Sequence, residues 1–266
     1  KYRKDIPPEL HQTAWCCDRA IEFMNEPREG PWLMSVNIFD PHPAYDAPES
    51  LAADIDSEAV PKPPFRESDL EIQERLNTHV FQTRPGVPDE NQQKRTANYY
   101  AMIELIDHNV GRLLDELGRT GQRDNTMVIF MSDHGQLLGD HGLENKGCRF
   151  YEGLTRIPLI FSWPARFKAN LQANGLVELT DLAPTLCDIV GIDPGWTHGR
   201  SLLPILTGRS DPACHRDYAR CEFYDVLNMN WNTGRPAPPP SYATMHRTEQ
   251  HKLVVYHGNP YGELYD

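Results

Sequence analysis

The sequence lacks any apolar run close to the roughly 20 residues that a membrane-spanning helix needs, and basic residues are in the minority. It contains 26 Lys and Arg against 38 Asp and Glu in 266 residues, a formal charge of -12. Proteins that bind nucleic acids or anionic membrane surfaces usually carry clustered basic charge. We therefore expect neither nucleic acid nor a membrane among the partners, although this balance is compatible with a local positive pocket for a small anion.

The six cysteines form no C-x-x-C pair, which excludes the usual thiol pattern of structural zinc sites and dithiol redox centres. A chain of this length also buries enough apolar surface to fold without a disulfide scaffold. We therefore interpret the thiols as mainly buried and free. The cysteine pattern does not assign a cellular compartment.

Apolar runs predict three buried strands, and apolar residues at helical spacing predict three helices. The strands are expected at Pro31–Asp40, Asn125–Ser132 and Ile157–Trp163, and the helices at Trp15–Asn25, Asn91–Gly118 and Thr180–Val190. Continuous apolar strands that alternate with helices are typical of a doubly wound α/β protein, in which helices cover both faces of a mostly parallel sheet. Residues 44–89, rich in proline and charge, are expected to form a long surface excursion with one short helix near Asp69–Asn77.

The composition changes near residue 211. A proline-rich stretch precedes two short β-like segments, Ser241–Arg247 and Lys252–His257, and no helical pattern separates them. Consecutive strands without helices are typical of antiparallel pairing. We therefore predict one α/β domain over residues 1–210 and the beginning of a smaller, antiparallel C-terminal subdomain over residues 211–266.

Chemically reactive side chains follow the predicted strands. Ligands of open α/β sheets bind at the carboxyl ends of strands; Asp133 and His134 follow one such strand, and His42 follows another. Asp133 offers a hard oxygen and His134 an imidazole nitrogen, so both are candidate metal ligands. Lys146, in a glycine-flanked loop, is a candidate contact for an anion beside that metal. His42 is a candidate acid for a leaving alkoxide or phenoxide.

Each of these residues also has a purely structural interpretation. A D-H-G sequence after a strand is often a turn, a single loop lysine is usually a solvated charge, and a histidine after D-P often belongs to a turn. The functional interpretation is favoured because all four residues are expected at the edge of one sheet. His141 is assigned a structural or supporting role.

Several longer stretches carry a family resemblance. They are F-D-P-H-P-A-Y at 39–45, Y-Y-A-M-I-E-L-I-D-H-N-V-G-R-L-L-D-E-L at 99–117, D-N-T-M-V-I-F-M-S-D-H-G-Q-L-L-G-D-H-G-L-E-N-K-G at 124–147, Y-E-G-L-T-R-I-P-L-I at 151–160 and T-D-L-A-P-T-L-C-D-I-V-G at 180–191. These motifs resemble the type I sulfatases of the alkaline phosphatase superfamily. The resemblance implies that the chain forms part of a sulfatase catalytic α/β domain.

The resemblance also implies a metal-dependent hydrolase of sulfate esters, with an aryl sulfate or a sulfated carbohydrate as substrate. In that family a cysteine or serine is converted to formylglycine, whose hydrate attacks sulfur. By motif match, Asp133 and His134 would be metal ligands, Lys146 would contact the sulfate and His42 would assist the leaving group. The family commonly holds Ca²⁺ or Mg²⁺. We expect Ca²⁺ first, and the imidazole at position 134 leaves Mn²⁺ as an alternative.

The family's nucleophile signature, C/S-x-P/A-x-R, does not occur at any cysteine of the chain; the cysteines are Cys16, Cys17, Cys148, Cys187, Cys214 and Cys221. An adjacent pair of acidic metal ligands is also missing upstream. We therefore expect the formylglycine and the rest of the metal shell to lie outside these residues. The chain would then be an internal portion of a longer sulfatase-like protein, and it would be inactive without the remainder.

Two alternatives stay open. A phosphonate monoester hydrolase or phosphodiesterase of the same superfamily would use the same residues, because sulfate esters and phosphate diesters are similar tetrahedral anions. A non-catalytic binding module would keep the metal and anion pocket without a nucleophile.

Overall fold

The computed structural model describes residues 5–225 and 241–266, together with the backbone pairing of 229–230 with 235–236. The helices in this part of the chain are α1 Gln12–Asn25, α2 Glu49–Ala52, α3 Glu67–Arg75, α4 Gln92–Arg119, α5 Glu152–Thr155, α6 Leu182–Val190 and α7 Leu203–Leu206. The strands are β1 Val128–Met131, β2 Leu137–Leu138, β3 Glu144–Asn145, β4 Leu159–Ser162, β5 Ala219–Tyr224, β6 Met229–Asn230, β7 Arg235–Pro236, β8 Tyr242–Arg247, β9 Lys252–Tyr256 and β10 Gly262–Tyr265.

The described residues fall into two compact units. The first contains the chain up to Phe65 together with Val87–Thr126, and the second contains Arg66–Gly86 together with Met127–Asp266. The first unit therefore carries His42, and the second carries Asp133, His134 and Lys146. In the described residues, no helix has the length and apolarity needed to cross a membrane.

The first unit is organised by the long helix α4. Its buried stripe includes Met102, Leu105 and Ile106, whose spacing of three and four residues places them on one helical face. Helix α1 packs against α4. Both helices were expected from their apolar spacing, and both predictions are confirmed.

The strand predicted at Pro31–Asp40 is wrong. The segment is not part of any β-ladder among the described residues, and Leu33 and Phe39 are 85% and 57% exposed. The prediction rested on the apolar run alone, and such a run does not identify a neighbouring strand that would pair with it and cover it. Further along, residues 44–89 contain α2, which was not expected, and α3, which confirms the short helix predicted near Asp69–Asn77.

Strands β1 and β4 lie in the second unit and confirm two of the predicted strands. They pair antiparallel, with Met131 opposite Leu159 and Val128 opposite Ser162. All ladders among the described residues are antiparallel, so the mostly parallel sheet that the sequence favoured is not formed by this part of the chain. A parallel pair needs a long crossover, usually a helix, whereas the β2–β3 hairpin and the four-residue helix α5 connect β1 to β4.

The C-terminal part of the second unit is an antiparallel sheet with the strand order β10-β9-β8-β5. One face is buried and contributes Met245, Val254 and Tyr256 to a core that also contains Leu76 and Phe150. The mixed α/β class and the C-terminal antiparallel sheet are both confirmed, whereas the domain boundary at residue 210 stays a prediction. Helix α6, which begins after a 3-10 turn at Leu179–Asp181 and ends at Gly191, confirms the helix expected at Thr180–Val190.

Candidate active site

A short hairpin brings Asp133 and His134 close to Lys146. The two ligand candidates come just after β1 ends, β2 and β3 form the hairpin, and Lys146 follows directly after β3. The Gln136 side-chain amide donates a hydrogen bond to the Asn145 side-chain oxygen over 2.9 Å, which ties the two ends of the hairpin together. Because β2 and β3 are antiparallel, the start of β2 lies beside the end of β3. The structure therefore brings three of the four predicted site residues together.

The glycine of the D-H-G turn is required by packing. A Cβ at Gly135 would lie 2.0 Å from the carbonyl oxygen of Gly153, in α5. The Gly135 amide donates to the carbonyl of Leu154 over 2.9 Å. Side chains larger than hydrogen are therefore excluded at position 135, and the turn is fixed to α5 through its backbone.

Asp133 and His134 form a pair suited to a metal ion. The Nδ1 atom of His134 lies 2.8 Å from the Gly135 carbonyl, which can only accept, so Nδ1 carries the proton and the Nε2 lone pair is free in the neutral ring. Nε2 lies 3.5 Å from Oδ2 of Asp133. Two metal ligands at a right angle on bonds of about 2.2 Å would be roughly 3 Å apart, so the two atoms would need to approach each other only slightly to hold one ion.

The exposure of this pair leaves room for a ligand. The side chain of Asp133 is 81% exposed and that of His134 is 40% exposed. No cluster of three or more His, Cys, Asp or Glu side chains suited to a metal occurs in the described part of the chain. One carboxylate and one imidazole are by themselves too few for a closed metal site, and the location of any further ligands stays a prediction.

Lys146 is half-buried beside this pair. Burial lowers the pKa of its ammonium group, and the nearby Asp133 carboxylate acts in the opposite direction. Its backbone is held by residues 78–83, which we call the strap: the Gln82 amide donates to the Lys146 carbonyl over 3.1 Å. A Cβ at Gly147 would lie 2.7 Å from the Cα of Phe81 in the strap, so the glycine after Lys146 is required for this close approach.

A buried arginine that the sequence analysis did not single out supports the strap. Arg149 is 4% exposed, and its guanidinium donates to the backbone carbonyls of Cys148, His79 and Leu76 over 2.6, 3.4 and 3.2 Å. Its Nε donates to the Gln73 side-chain oxygen over 2.7 Å. The sequence did contain a sign of this role: Arg149 is a charged residue inside the otherwise apolar C-R-F-Y stretch. A guanidinium group buried in such a stretch requires several hydrogen-bond acceptors.

His42 occupies a tight turn in the first unit. Its amide donates to the Phe39 carbonyl over 3.1 Å, and its Nδ1 lies 2.7 Å from the Pro43 carbonyl. Because that carbonyl is an acceptor, Nδ1 carries a proton and Nε2 faces outward, available for proton transfer. The ring is exposed and lies 4.6 Å from the Phe39 ring. The convergence of His42 with Asp133, His134 and Lys146 stays a prediction, because His42 belongs to the other compact unit.

His141 makes contacts within the fold, and its structural or supporting role stays a prediction. It adopts a left-handed backbone conformation, with φ 56°, and its ring stacks on Tyr151 with centroids 4.0 Å apart. Its Nδ1 lies 3.6 Å from Oδ2 of Asp69 in α3. These contacts fix the tip of the hairpin to its surroundings.

The letters of the nucleophile signature do occur once, around a serine that the sequence analysis did not consider. Ser162 begins the stretch S-W-P-A-R, but it lies at the end of β4 opposite Val128. Asp133 follows the other end of β1, after Met131, three ladder pairs away. At about 3.4 Å per residue the serine is roughly 10 Å from that end, so it is not placed to act with the candidate metal pair.

Comparisons with known proteins identify the family. The sulfatase family profile matches residues 3–192, and the profile described as N-sulphoglucosamine sulphohydrolase, C-terminal, matches residues 139–266. The chain belongs to the sulfatase family. Sulfatases generally use a divalent metal ion and a formylglycine, and the role of Asp133 and His134 as metal ligands stays a prediction.

Individual relatives agree with this assignment. An arylsulfatase of Clostridium perfringens is 30% identical over 220 residues, covering 80% of this chain and 45% of the relative. A choline-sulfatase of Rhizobium meliloti is 34% identical over 193 residues, covering 68% of this chain and 37% of the relative. The chain therefore spans less than half the length of these two sulfatases.

A solved structure shares the fold over nearly the whole chain. The phosphonate monoester hydrolase of Agrobacterium radiobacter superposes with a TM-score of 0.82 at 26% identity, covering 98% of this chain and 55% of that protein. The chain therefore shares the fold of this hydrolase, and the phosphonate alternative has a structural relative of its own.

Proposed function

We propose that the protein carrying this chain hydrolyses sulfate esters. The single observation that carries the proposal is the arrangement of Asp133, His134 and Lys146 at one end of a hairpin, in a chain that belongs to the sulfatase family. A carboxylate oxygen, an imidazole nitrogen and an ammonium group are the groups that a metal-assisted site for a tetrahedral anion needs.

The residues of this chain have distinct tasks in that reaction. Asp133 and His134 would hold a divalent cation, which when bound would neutralise charge on the sulfate oxygens; Ca²⁺ is the expected ion, with Mg²⁺ and Mn²⁺ as alternatives. Lys146 Nζ binds a sulfate oxygen and fixes the orientation of the ester. His42, protonated at Nε2, gives its proton to the leaving oxygen while Nδ1–H stays on the Pro43 carbonyl.

The substrate class follows from this division of roles. The ammonium group of Lys146 and one metal ion held by two ligands would recognise the sulfate group and not the rest of the molecule. Aryl sulfates and sulfated carbohydrates therefore both fit. The formylglycine nucleophile is expected outside these 266 residues, and the isolated chain is therefore expected to show no turnover. We therefore expect the chain to require the remainder of the protein for activity.

The experiment compares two esters with the full-length protein. Rates are measured on 4-nitrophenyl sulfate and on a 4-nitrophenyl phosphonate monoester, with Ca²⁺, Mg²⁺ or Mn²⁺ added after chelation. We expect a higher kcat/KM for the sulfate ester. A higher value for the phosphonate would instead assign the phosphonate monoester hydrolase activity suggested by the structural relative from Agrobacterium radiobacter. Metal binding without hydrolysis of either ester would indicate a binding module.

A further inference from the structure

The turn that carries His42 is anchored by a carboxylate that has no assigned role in the reaction. The side chain of Asp40 is completely buried, although aspartate is rarely buried without partners. It lies in the middle of the four-residue turn that the His42 amide closes on the Phe39 carbonyl. The carboxylate therefore points inward while the imidazole, two residues later, is exposed.

Two side-chain donors at the start of α1 hold the Asp40 carboxylate, and a buried histidine lies beside it, its Nδ1 accepting from the Thr13 amide over 3.4 Å. The Thr13 hydroxyl donates to Oδ2, the Gln12 side-chain amide donates to Oδ1 over 3.1 Å, and His11 Nδ1 lies 3.3 Å from Oδ2. His11 and Thr13 are themselves buried, at 5% and 1% exposure. A buried carboxylate with two donors is stabilised in one position, because any displacement leaves a charged acceptor unsatisfied.

We propose that Asp40 is a positioning residue for His42: by fixing the turn to the start of α1, it sets the direction in which Nε2 is presented to the leaving oxygen. The His42 ring has few other constraints, since it is exposed and contacts chiefly the Phe39 ring and the Pro43 carbonyl. The turn backbone therefore determines where the ring points. This proposal rests on the proposed function, in which His42 protonates the leaving group.

The test uses the dependence of the rate on the leaving group. An ester with a good leaving group, 4-nitrophenyl sulfate, needs little protonation, whereas phenyl sulfate needs more. In the full-length protein, Asp40→Asn replaces one acceptor oxygen with a donor and should lower kcat/KM for phenyl sulfate by about 10- to 100-fold, since a displacement near 1 Å costs this much and general acid catalysis is worth about 100-fold or more. The loss on 4-nitrophenyl sulfate should stay within about threefold.

Two controls separate positioning from a general loss of structure. Asp54→Asn, at an exposed position of the same unit, should change neither rate. His42→Ala should reproduce the selective loss on phenyl sulfate, and adding Asp40→Asn to His42→Ala should cause no further loss, because residues that act as one unit are not additive.

A second pair of variants keeps the proposal testable if Asp40→Asn unfolds the protein. Thr13→Ser keeps the hydroxyl that donates to Asp40 and should retain both rates, whereas Thr13→Ala removes it and should lower the phenyl sulfate rate selectively. If Asp40→Asn or Thr13→Ala lowers the rates on both esters equally while His42→Ala acts selectively on phenyl sulfate, the proposed role of Asp40 is overturned and that of His42 is retained. The absence of a selective effect of His42→Ala would overturn the proposed role of His42, and with it this inference.

Discussion

Two polar regions of the second unit differ in how their polar groups are satisfied. The first, which we call the buried network, consists of Gln73, Arg149, Tyr151, Tyr256 and Glu263. The Glu263 carboxylate accepts from the Tyr256 and Tyr151 hydroxyls over 2.7 and 3.3 Å, and Gln73 connects Tyr151 to Arg149. The second region is the exposed turn of Asp133 and His134, whose Oδ2 and Nε2 atoms face each other at 3.5 Å.

The comparison separates groups that stabilise the fold from groups that we propose bind a ligand. In the buried network, donors and acceptors are matched within the chain, as buried polar groups must be. In the exposed turn, two acceptor atoms face each other, an arrangement that favours a cation between them. Substitutions in the network should therefore affect unfolding, and substitutions at the turn and at Lys146 should affect ligands.

The largest effect is expected at Lys146. In the full-length protein Lys146→Ala should lower kcat/KM for 4-nitrophenyl sulfate by about 1,000-fold, because the loss of one charged contact to a developing anion costs about 3–4 kcal/mol. Burial already disfavours the charge of this lysine, so the free energy of unfolding should not fall. Lys62→Ala, at an exposed lysine, is the matched control. A loss of stability parallel to the loss of rate would show that Lys146 belongs with the structural residues.

The next effect concerns metal binding at the turn. Asp133→Asn should weaken binding of Mn²⁺ or Ca²⁺, measured by calorimetry and by metal content after dialysis, by at least about 100-fold, since even outer contacts of metal ligands are worth 10- to 100-fold. Thermal unfolding of the metal-free protein should be unchanged, because the side chain is 81% exposed. Asp107→Asn, at an exposed position of α4, should retain the metal. Unaltered metal affinity in Asp133→Asn would remove this residue from the site.

In the buried network the expected effect is on stability. Arg149→Met keeps much of the side-chain volume but removes four hydrogen bonds, and the free energy of unfolding in urea should fall by about 2–3 kcal/mol. Arg84→Met, at an exposed arginine of the second unit, should change it by less than about 0.5 kcal/mol. If Arg149→Met retained wild-type stability, the buried network would not have the structural role inferred from its contacts.

The smallest effect is a pH dependence from His79, whose backbone carbonyl accepts from Arg149. Burial, assisted by the Arg149 charge, lowers the pKa of the His79 imidazole, while a hydrogen bond to the His257 backbone opposes the shift. The unfolded chain therefore binds more protons between the lowered pKa and about 6.5, so stability falls as the pH decreases through this window. His79→Gln should reduce the difference in unfolding free energy between pH 7.5 and 5.5. An unchanged difference would exclude His79 as its source.

The helices and the antiparallel pairing of β8 with β9 were predictable from the sequence, whereas the pairing of the other strands was not. The apolar spacing in Asn91–Gly118 fixed the existence of α4 and its buried face, because a helix satisfies its backbone locally. The run at Pro31–Asp40 has equally apolar residues, yet a strand depends on a neighbour that may lie anywhere along the chain. Strands β5 and β10 were not predicted, since Ala219–Tyr224 and Gly262–Tyr265 are short and mix polar with apolar residues.

The residue types of the candidate site were readable from the sequence, but its geometry was not. The D-H-G turn and the N-K-G loop identified Asp133, His134 and Lys146, because few structural roles require an acid, an imidazole and an amine so close together. The direction of the His134 lone pair depends on a contact with the Gly135 carbonyl that spacing cannot reveal. Asp40 and Arg149 were passed over because burial, which gives both their roles, arises only from tertiary packing.

The close approach of Gly135 to Gly153 links two motifs that are separate along the chain. The D-H-G turn and the Y-E-G segment meet backbone to backbone, and a Cβ at Gly153 would itself lie 3.1 Å from the Leu137 side chain. Gly135 cannot be exchanged without moving α5, whereas an exchange at Gly153 would require the Leu137 side chain to shift by a few tenths of an ångström. A homologue that has lost the glycine at position 135 should therefore show a compensating change in the segment equivalent to α5.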